Sequence, residues 1–143
     1  MLKGVPSILS PELLKILMEM GHGDVLCIGD GNFPAAAYAK RLVRLDGHGV
    51  TEILGAILRL YPLDTYVEAP VGLMEVVPGS GDAEPPIWKD YVEVIGKHQK
   101  DVKIRNIERF QFYEEAKKAY CIVATGETAL YANILLQKGV VVE

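Results

Sequence analysis

Two short apolar runs constrain the fold of this chain more than any other feature of its sequence. They are Val-Leu-Cys-Ile at 25–28 and Cys-Ile-Val-Ala at 121–124. Apolar runs of this length, without alternating polar residues, are typical of strands that are buried on both faces. Such strands need helices on either side of their sheet, so the sequence predicts an α/β fold. We expect a single three-layer α/β/α domain with a mostly parallel or mixed sheet.

Helix and strand patterns alternate along the rest of the chain. Ser10, Pro11 and Glu12 predict the start of a helix, because serine caps helices, proline fits the first position and an acid favours the positive end. Apolar residues at helical spacing predict further helices at 51–60, 87–95 and 109–119, and an alanine run predicts a short one at 34–37. Strands are predicted at 42–45, 73–77, 102–105 and 131–136, and the proline-rich segment 78–86 is predicted to be a loop.

Length, charge and cysteine usage narrow the class of protein. A chain of 143 residues suits one domain spanning 1–143. A net charge of −4 argues against a nucleic-acid or membrane-surface partner. No stretch resembles the apolar core of a signal peptide or a membrane span, so a cytoplasmic location is expected. Cys27 and Cys121 lie inside the apolar runs and are expected to be free, buried thiols.

A histidine between two glycines is the first candidate for chemistry. His22 follows the first predicted helix and stands between Gly21 and Gly23, where the negative end of a helix favours positive charge. A histidine at such a position suits a general acid or base. The alternative is a histidine that caps the helix by contacting its free carbonyl groups.

A polar loop, Gly-Asp-Gly-Asn at 29–32, follows the first buried strand. Ligand sites of α/β sheets lie beyond the strand ends, so this loop marks the expected site. It lacks the third glycine of the dinucleotide fingerprint, and Asp30 would place an anion beside a pyrophosphate, which argues against nucleotide binding. Asp30 and Asn32 instead suit a ligand that is rich in hydroxyl groups. The alternative is an Asp-Gly turn that caps the next helix.

Metal-dependent and covalent catalysis find little support in the residues. The three histidines, at 22, 48 and 98, lack the spacing of metal ligands, and no Gly-x-Ser-x-Gly motif is present. We therefore expect neither a metal nor another cofactor. Tyr113, Tyr120 and Tyr131 cluster in the last third of the chain, and a tyrosine can stack on a sugar or move a proton. Core packing is the alternative for each of them.

Seven stretches, in order, resemble the family of fucose mutarotases and ribose pyranases over essentially the whole chain. They are SPELL at 10–14, MGHGD at 20–24, Asp30 with NFP at 32–34, LDTY at 63–66, RFQFYE at 109–114, TGE at 125–127, and YAN at 131–133 followed by KGV at 138–140. The resemblance is closer to the fucose branch, because Arg109 stands where ribose pyranases typically have histidine. Two positions depart from the pattern. Asn32 replaces a histidine of some bacterial fucose mutarotases, and Ala132 replaces a glycine frequent in the fucose branch.

The resemblance implies a set of site residues. His22 matches the family's proton donor, and Asp64 and Tyr131 match residues implicated in catalysis in animal-type fucose mutarotases. The implied substrate-binding residues are Asp30, Met74, Arg109, Tyr113 and Asn133.

The resemblance also implies a reaction, namely interconversion of the α and β anomers of L-fucose by acid–base opening and closing of the ring, without a cofactor. The alternatives are a D-ribose pyranase, a non-catalytic monosaccharide-binding module, and a regulatory or structural oligomer. Family members commonly form rings or stacked rings, decamers among them, so a homo-oligomer is expected. The hydrophobic share of the chain, 50%, agrees with burial of apolar surface by self-association.

Overall fold

The computed structural model describes residues 1–143 as five helices and six strands. The helices are α1 (Pro11–Glu19), α2 (Ala35–Tyr38), α3 (Val50–Leu58), α4 (Ile87–His98) and α5 (Arg109–Lys118). The strands are β1 (Val25–Gly29), β2 (Leu42–Leu45), β3 (Val71–Met74), β4 (Ile104–Ile107), β5 (Cys121–Thr125) and β6 (Ile134–Gln137). Ser10 caps α1 as predicted, because its Oγ accepts a hydrogen bond of 3.2 Å from the Leu13 amide.

The strands form one mixed sheet in the order β2-β5-β1-β6-β3-β4. Strand β6 runs antiparallel to its neighbours β1 and β3, and every other pairing is parallel. Five strands therefore end at one edge of the sheet, where β6 begins. We call this side the carboxyl edge and the opposite side the amino edge.

Helices cover both faces of the sheet, which confirms the predicted three-layer architecture. The larger hydrophobic cluster packs residues of α1, α3 and α4 against one face, and the smaller cluster packs residues of α2 and α5 against the other. Strand β1 contributes to both clusters, because Leu26 and Ile28 point to the larger one and Cys27 points to the smaller one. Alternate side chains thus fill opposite faces, which explains why the run at 25–28 has no polar position.

The two cysteines are free and buried, as predicted. Burial raises the pKa of Cys27 well above the usual value of a thiol, and it raises the pKa of Cys121 to about 12. Both side chains therefore remain neutral thiols within the core. None of the five helices is long and apolar enough to cross a membrane.

The predicted strand at 73–77 is displaced, since β3 occupies 71–74 and all four of its residues are buried. The apparent alternation beyond Met74 belongs to the following loop. The sequence did not predict a strand start at residue 71, because Gly72 lies inside β3 and glycine is unfavourable inside strands. Here its missing side chain leaves room for Ile107, whose Cδ1 would lie 2.5 Å from a Cβ at position 72.

The predictions for β4 and β6 were also wrong at their boundaries. Strand β4 begins at Ile104 rather than at 102, because its register pairs Val71 with Ile104 and Met74 with Ile107. Strand β6 spans 134–137 rather than 131–136. Tyr131 cannot start it, because its φ of 54° is left-handed and incompatible with a strand.

Gly126, just after β5, tests how tightly the carboxyl edge is packed. A Cβ at this position would collide with the backbone carbonyl oxygen of Asp46, an atom that cannot rotate away. We therefore expect Gly126→Ala to lower the free energy of unfolding by about 1–3 kcal/mol in urea titrations. Gly47→Ala is the matched control, since no atom lies within 4 Å of its added methyl group. Equal losses for the two variants would contradict the described packing.

Candidate active site

The carboxyl edge holds a cavity of about 220 Å³ beside the loop that follows β1. All five implied substrate-binding residues line this cavity, and Tyr131 lines it with them. The complete lining is Asp30, Asn32, Phe33, Met74, Val77, Asp82, Arg109, Tyr113, Leu130, Tyr131 and Asn133. Met74 ends β3 and the other lining residues follow β1, β3, β4 or β5, so the sheet itself brings them together.

Asp30 is a buried carboxyl at one wall of the cavity. Its backbone amide donates to Asn133 Oδ1 at 2.8 Å, and its own Oδ1 accepts from the Asn32 amide at 2.9 Å. The Asp-Gly turn considered as an alternative therefore exists, but it does not cap the next helix, since α2 has Pro34 at its N-cap and no side-chain cap. Burial raises the pKa of Asp30, although hydrogen bonds from nearby backbone amides oppose this rise.

Aromatic rings and a guanidinium form a second wall. Arg109 opens α5, and its Nε donates to the hydroxyl of Tyr113 at 3.2 Å. The Tyr113 ring packs against Phe33 and Tyr38, with ring centroids 5.8 and 5.5 Å away. This stack fixes Tyr113, which in turn directs Arg109 along the cavity. The resulting surface combines a positive charge with aromatic faces, and both features suit a polyhydroxylated ring.

Tyr131 is held in a strained backbone conformation at the cavity. Its φ of 54° is rare for a residue with a side chain. Helix α4 supports this conformation from outside, because Trp88 Nε1 donates to the Tyr131 carbonyl at 2.9 Å. The buried hydroxyl of Tyr91 likewise donates to the next carbonyl, that of Ala132, at 2.6 Å. The helix therefore stabilises a turn that the local sequence alone would disfavour.

His22 and Asp64 form a separate pair at the amino edge. His22 Nε2 lies 3.0 Å from Asp64 Oδ1, so this histidine contacts a carboxylate rather than the free carbonyls of α1. Asp64 is only 3% exposed. It also accepts hydrogen bonds of 3.0 Å from the Tyr66 amide and from Gln137 Nε2. The Asp64 carboxylate thus fixes the histidine ring, which leaves Nδ1 available to a ligand.

Opposing effects set the ionisation of Asp64. Burial by itself raises the pKa of this carboxyl, but hydrogen bonds from the Tyr66 amide, His22 and Gln137 outweigh burial and hold the pKa below its usual value. Asp64 is therefore a carboxylate at neutral pH. The histidine side chain remains 43% exposed beside it.

One chain does not bring its two groups of predicted site residues together. His22 precedes β1 and Asp30 follows it, so a whole strand separates them. Asp64 likewise precedes β3, and Met74 is the last residue of that strand. At about 3.3 Å per residue, His22 lies roughly 20 Å from the cavity of its own chain.

Some cavity residues carry no recognisable signal in the sequence, and one predicted tyrosine lies elsewhere. Val77, Asp82 and Leu130 reach the cavity from loops, and only their distant contacts place them there. The Tyr120 hydroxyl contacts Glu19 instead, at 3.2 Å. No group of three or more histidine, cysteine or acidic side chains is arranged to hold a metal ion.

Known proteins resemble this chain over nearly its full length. A family model described as the RbsD / FucU transport protein family matches residues 3–141. The human fucose mutarotase is 49% identical over 144 residues, covering 97% of this chain and 94% of that protein. An L-fucose mutarotase of Actinobacillus pleuropneumoniae serotype 5b (strain L20) is 46% identical over 141 residues, covering 98% of this chain and 97% of that protein. The Streptococcus pneumoniae fucose mutarotase, in a crystal structure with L-fucose, has a TM-score of 0.94 and 54% identity, covering 99% of this chain and 100% of that chain.

The fold and the cavity define a three-layer α/β protein with a cavity at the carboxyl edge of its sheet that combines carboxyls, an arginine and tyrosine hydroxyls. Within that class, the chain belongs to the RbsD / FucU transport protein family. The resemblance to fucose mutarotases inferred from the seven sequence stretches is thereby confirmed.

Asp30→Asn tests the electrostatic strain in the cavity. The pKa of Asp30 is raised on folding, so its ionised form destabilises the folded state above the unfolded pKa of about 3.9. We expect the asparagine variant to melt at a higher Tm than the wild type at pH 7. The difference should shrink as the pH falls toward 4 and vanish below it, because the carboxyl is then protonated in both the folded and the unfolded state.

The control for this comparison is Glu84→Gln, which neutralises an exposed carboxylate that makes no hydrogen bond. It should leave Tm nearly unchanged at both pH values. A wild type that melts above Asp30→Asn at pH 7 would contradict the destabilising burial of this carboxyl.

Proposed function

We propose that this protein is an L-fucose mutarotase, an isomerase that interconverts the α and β anomers of the free sugar. One observation carries the proposal. The five implied sugar-binding residues meet in one cavity, in a chain 49% and 54% identical to two fucose mutarotases over nearly its full length. The whole chain, 1–143, then acts as a single mutarotase domain.

Mutarotation requires two proton transfers and no change in oxidation state. The ring oxygen receives a proton and the anomeric hydroxyl loses one, which opens the ring to an aldehyde. Rotation about the C1–C2 bond and closure on the other face give the second anomer. Positioned general acids and bases accelerate such steps by about 10²–10⁴-fold. The chain offers His22 as the acid and Tyr131 as the group that receives the anomeric proton.

The cavity residues divide the work of binding the sugar. Asp30 and Asn133 offer a carboxyl and an amide to the hydroxyl groups. Arg109 adds a fixed set of donors, and Tyr113 contributes an aromatic face. Met74 supplies an apolar contact. Binding at several hydroxyls holds the anomeric carbon beside Tyr131, which is the positional part of catalysis.

The acid comes from a second copy of the chain in this proposal. His22 and Tyr131 lie at opposite edges of one subunit, roughly 20 Å apart. Apolar side chains are exposed on both edges, with Tyr66 76% exposed beside His22 and Leu130 60% exposed beside the cavity. Docking the amino edge of one copy onto the carboxyl edge of the next unites the reactive groups.

Such a contact joins two different surfaces, and a contact of this kind forms a ring when the rotation between successive copies closes. We therefore propose a homo-oligomer with a site shared between neighbours. The decamer and the cytoplasmic location stay predictions from the sequence and its resemblance.

Exchange between anomers of the free sugar tests the function directly. We expect the protein to transfer NMR saturation between the anomeric protons of L-fucose faster than between those of D-ribose. Arg109→His should reduce this preference by about tenfold, because a fixed hydrogen-bonding partner in a site discriminates by this order. Binding without exchange would indicate a sugar-binding module, and faster exchange on D-ribose would identify a pyranase.

A further inference from the structure

A loop residue outside the implied set of site residues contacts the reactive end of Tyr131. The phenol oxygen of Tyr131 accepts a hydrogen bond of 3.3 Å from the Val77 amide and donates one of 3.1 Å to Asp82 Oδ2. Both contacts come from the loop that joins β3 to α4. Asp82 and Val77 line the same cavity as Asp30. The loop therefore determines where the proton of the phenol points.

Local structure holds Asp82 in reach of the phenol. Gly79 and Gly81 both adopt positive φ angles, of 78° and 82°, which turn the loop back on itself. The Asp82 amide donates to Ser80 Oγ at 3.2 Å across this turn. At the other end of the tyrosine, Trp88 binds the backbone carbonyl. The Tyr131 side chain is thus fixed both at its root and at its tip.

The hydrogen-bonding capacity of a phenol explains the value of this arrangement. A tyrosine hydroxyl has one proton to donate and two lone pairs that accept. Asp82 takes the proton and the Val77 amide occupies one lone pair, which leaves the other for a hydroxyl group in the cavity. A neutral phenol is by itself a weak base, because taking up a proton while keeping its own would leave a positively charged oxygen. A carboxylate that accepts a hydrogen bond from the phenol makes the phenol oxygen an effective proton acceptor. The phenol can then give its own proton to the carboxylate as it takes up another.

From this geometry, and resting on the proposed mutarotase function, we propose that Asp82 is a positioning residue that accepts the Tyr131 proton as Tyr131 takes the anomeric proton. It acts through the tyrosine and does not itself touch the sugar. It supplies a carboxylate in hydrogen-bond contact with the phenol, which none of the implied site residues does.

The proton transfers balance over the full reaction. The anomeric O1 proton moves to Tyr131 Oη while the phenol proton moves to Asp82 Oδ2. The C1–O1 bond becomes a carbonyl, the bond from C1 to the ring oxygen breaks, and the ring oxygen takes a proton from His22 of the neighbouring copy. Closure on the other face reverses every transfer. No electrons are exchanged, and all three residues regain their initial protonation states.

Variants at Asp82 separate the relay from a merely structural contact. Asp82→Asn keeps a hydrogen-bond acceptor but removes the base, and Asp82→Ala removes both. We expect each variant to lower the anomeric exchange of saturating L-fucose by about 10²-fold, with KM changed less than about twofold. Glu84→Gln, an exposed carboxylate on the same loop without a hydrogen bond, should keep the wild-type rate.

Chemical rescue supplies the readout that a structural role would not change. Added formate should restore exchange several-fold in Asp82→Ala, because position 82 is exposed and a small carboxylate can approach the phenol. It should not restore exchange in Tyr131→Phe. Thermal melting checks that every variant remains folded.

The outcomes distinguish the failure of this inference from the failure of the proposed function. If the wild type exchanges the anomers of L-fucose and Asp82→Asn does so at a rate within twofold of the wild type, the relay is overturned and the proposed function stands. Asp82→Ala that does not respond to formate would also overturn the relay. A wild type without exchange on L-fucose would overturn the function and the relay together.

Discussion

Strand β6 is the only antiparallel strand of the sheet, and the residues at its two ends support both parts of the proposed site. Asn133, just before β6, accepts from the Asp30 amide at 2.8 Å. Gln137, its last residue, donates to Asp64 Oδ2 at 3.0 Å. A parallel strand here would need a long crossover connection from β5, which precedes β6 in the chain. The reversed strand instead lets one short turn present Tyr131 at the carboxyl edge while its far end reaches the amino edge.

The two buried carboxyls, Asp30 and Asp64, have pKa values that are shifted in opposite directions. Burial dominates at Asp30 and raises its pKa, whereas donated hydrogen bonds dominate at Asp64 and lower its pKa. A raised pKa suits a carboxyl that contacts a neutral sugar inside a cavity, since the carboxyl is protonated more readily. A lowered pKa suits a permanent anion that orients the ring of His22. Enzymes often assign different roles to carboxyls by pushing their pKa values apart in this way.

The sequence predicted features with local causes better than features with distant ones. The cap at Ser10 and the buried runs of β1 and β5 depend on neighbouring residues, and the structure confirms them. The position of the cavity beside the loop after β1 also followed from the sequence, because ligand sites of α/β sheets lie beyond the strand ends. The pairing of His22 with Asp64 could not be read from spacing, because the two residues are 42 positions apart.

The conformation of Tyr131 shows why tertiary contacts override local patterns. Its segment is apolar enough to resemble a strand. Contacts from α4 and from the loop between β3 and α4 nevertheless hold it in a left-handed turn. Trp88 supplies one of these contacts, and a single tryptophan in an amphipathic helix indicates only core packing. The family resemblance identified Tyr131 as a site residue. It carried no information about the loop that positions the tyrosine hydroxyl.

Subunit complementation tests the central claim that neighbouring copies share one site. His22→Ala and Tyr131→Phe are each expected to abolish rapid exchange on L-fucose. Random mixed oligomers formed by co-expressing the two variants equally should regain about one quarter of wild-type exchange, because half of the cavities retain Tyr131 and half of their neighbours supply His22. Mixed oligomers that stay inactive, or a His22→Ala variant with wild-type exchange, would contradict the shared site.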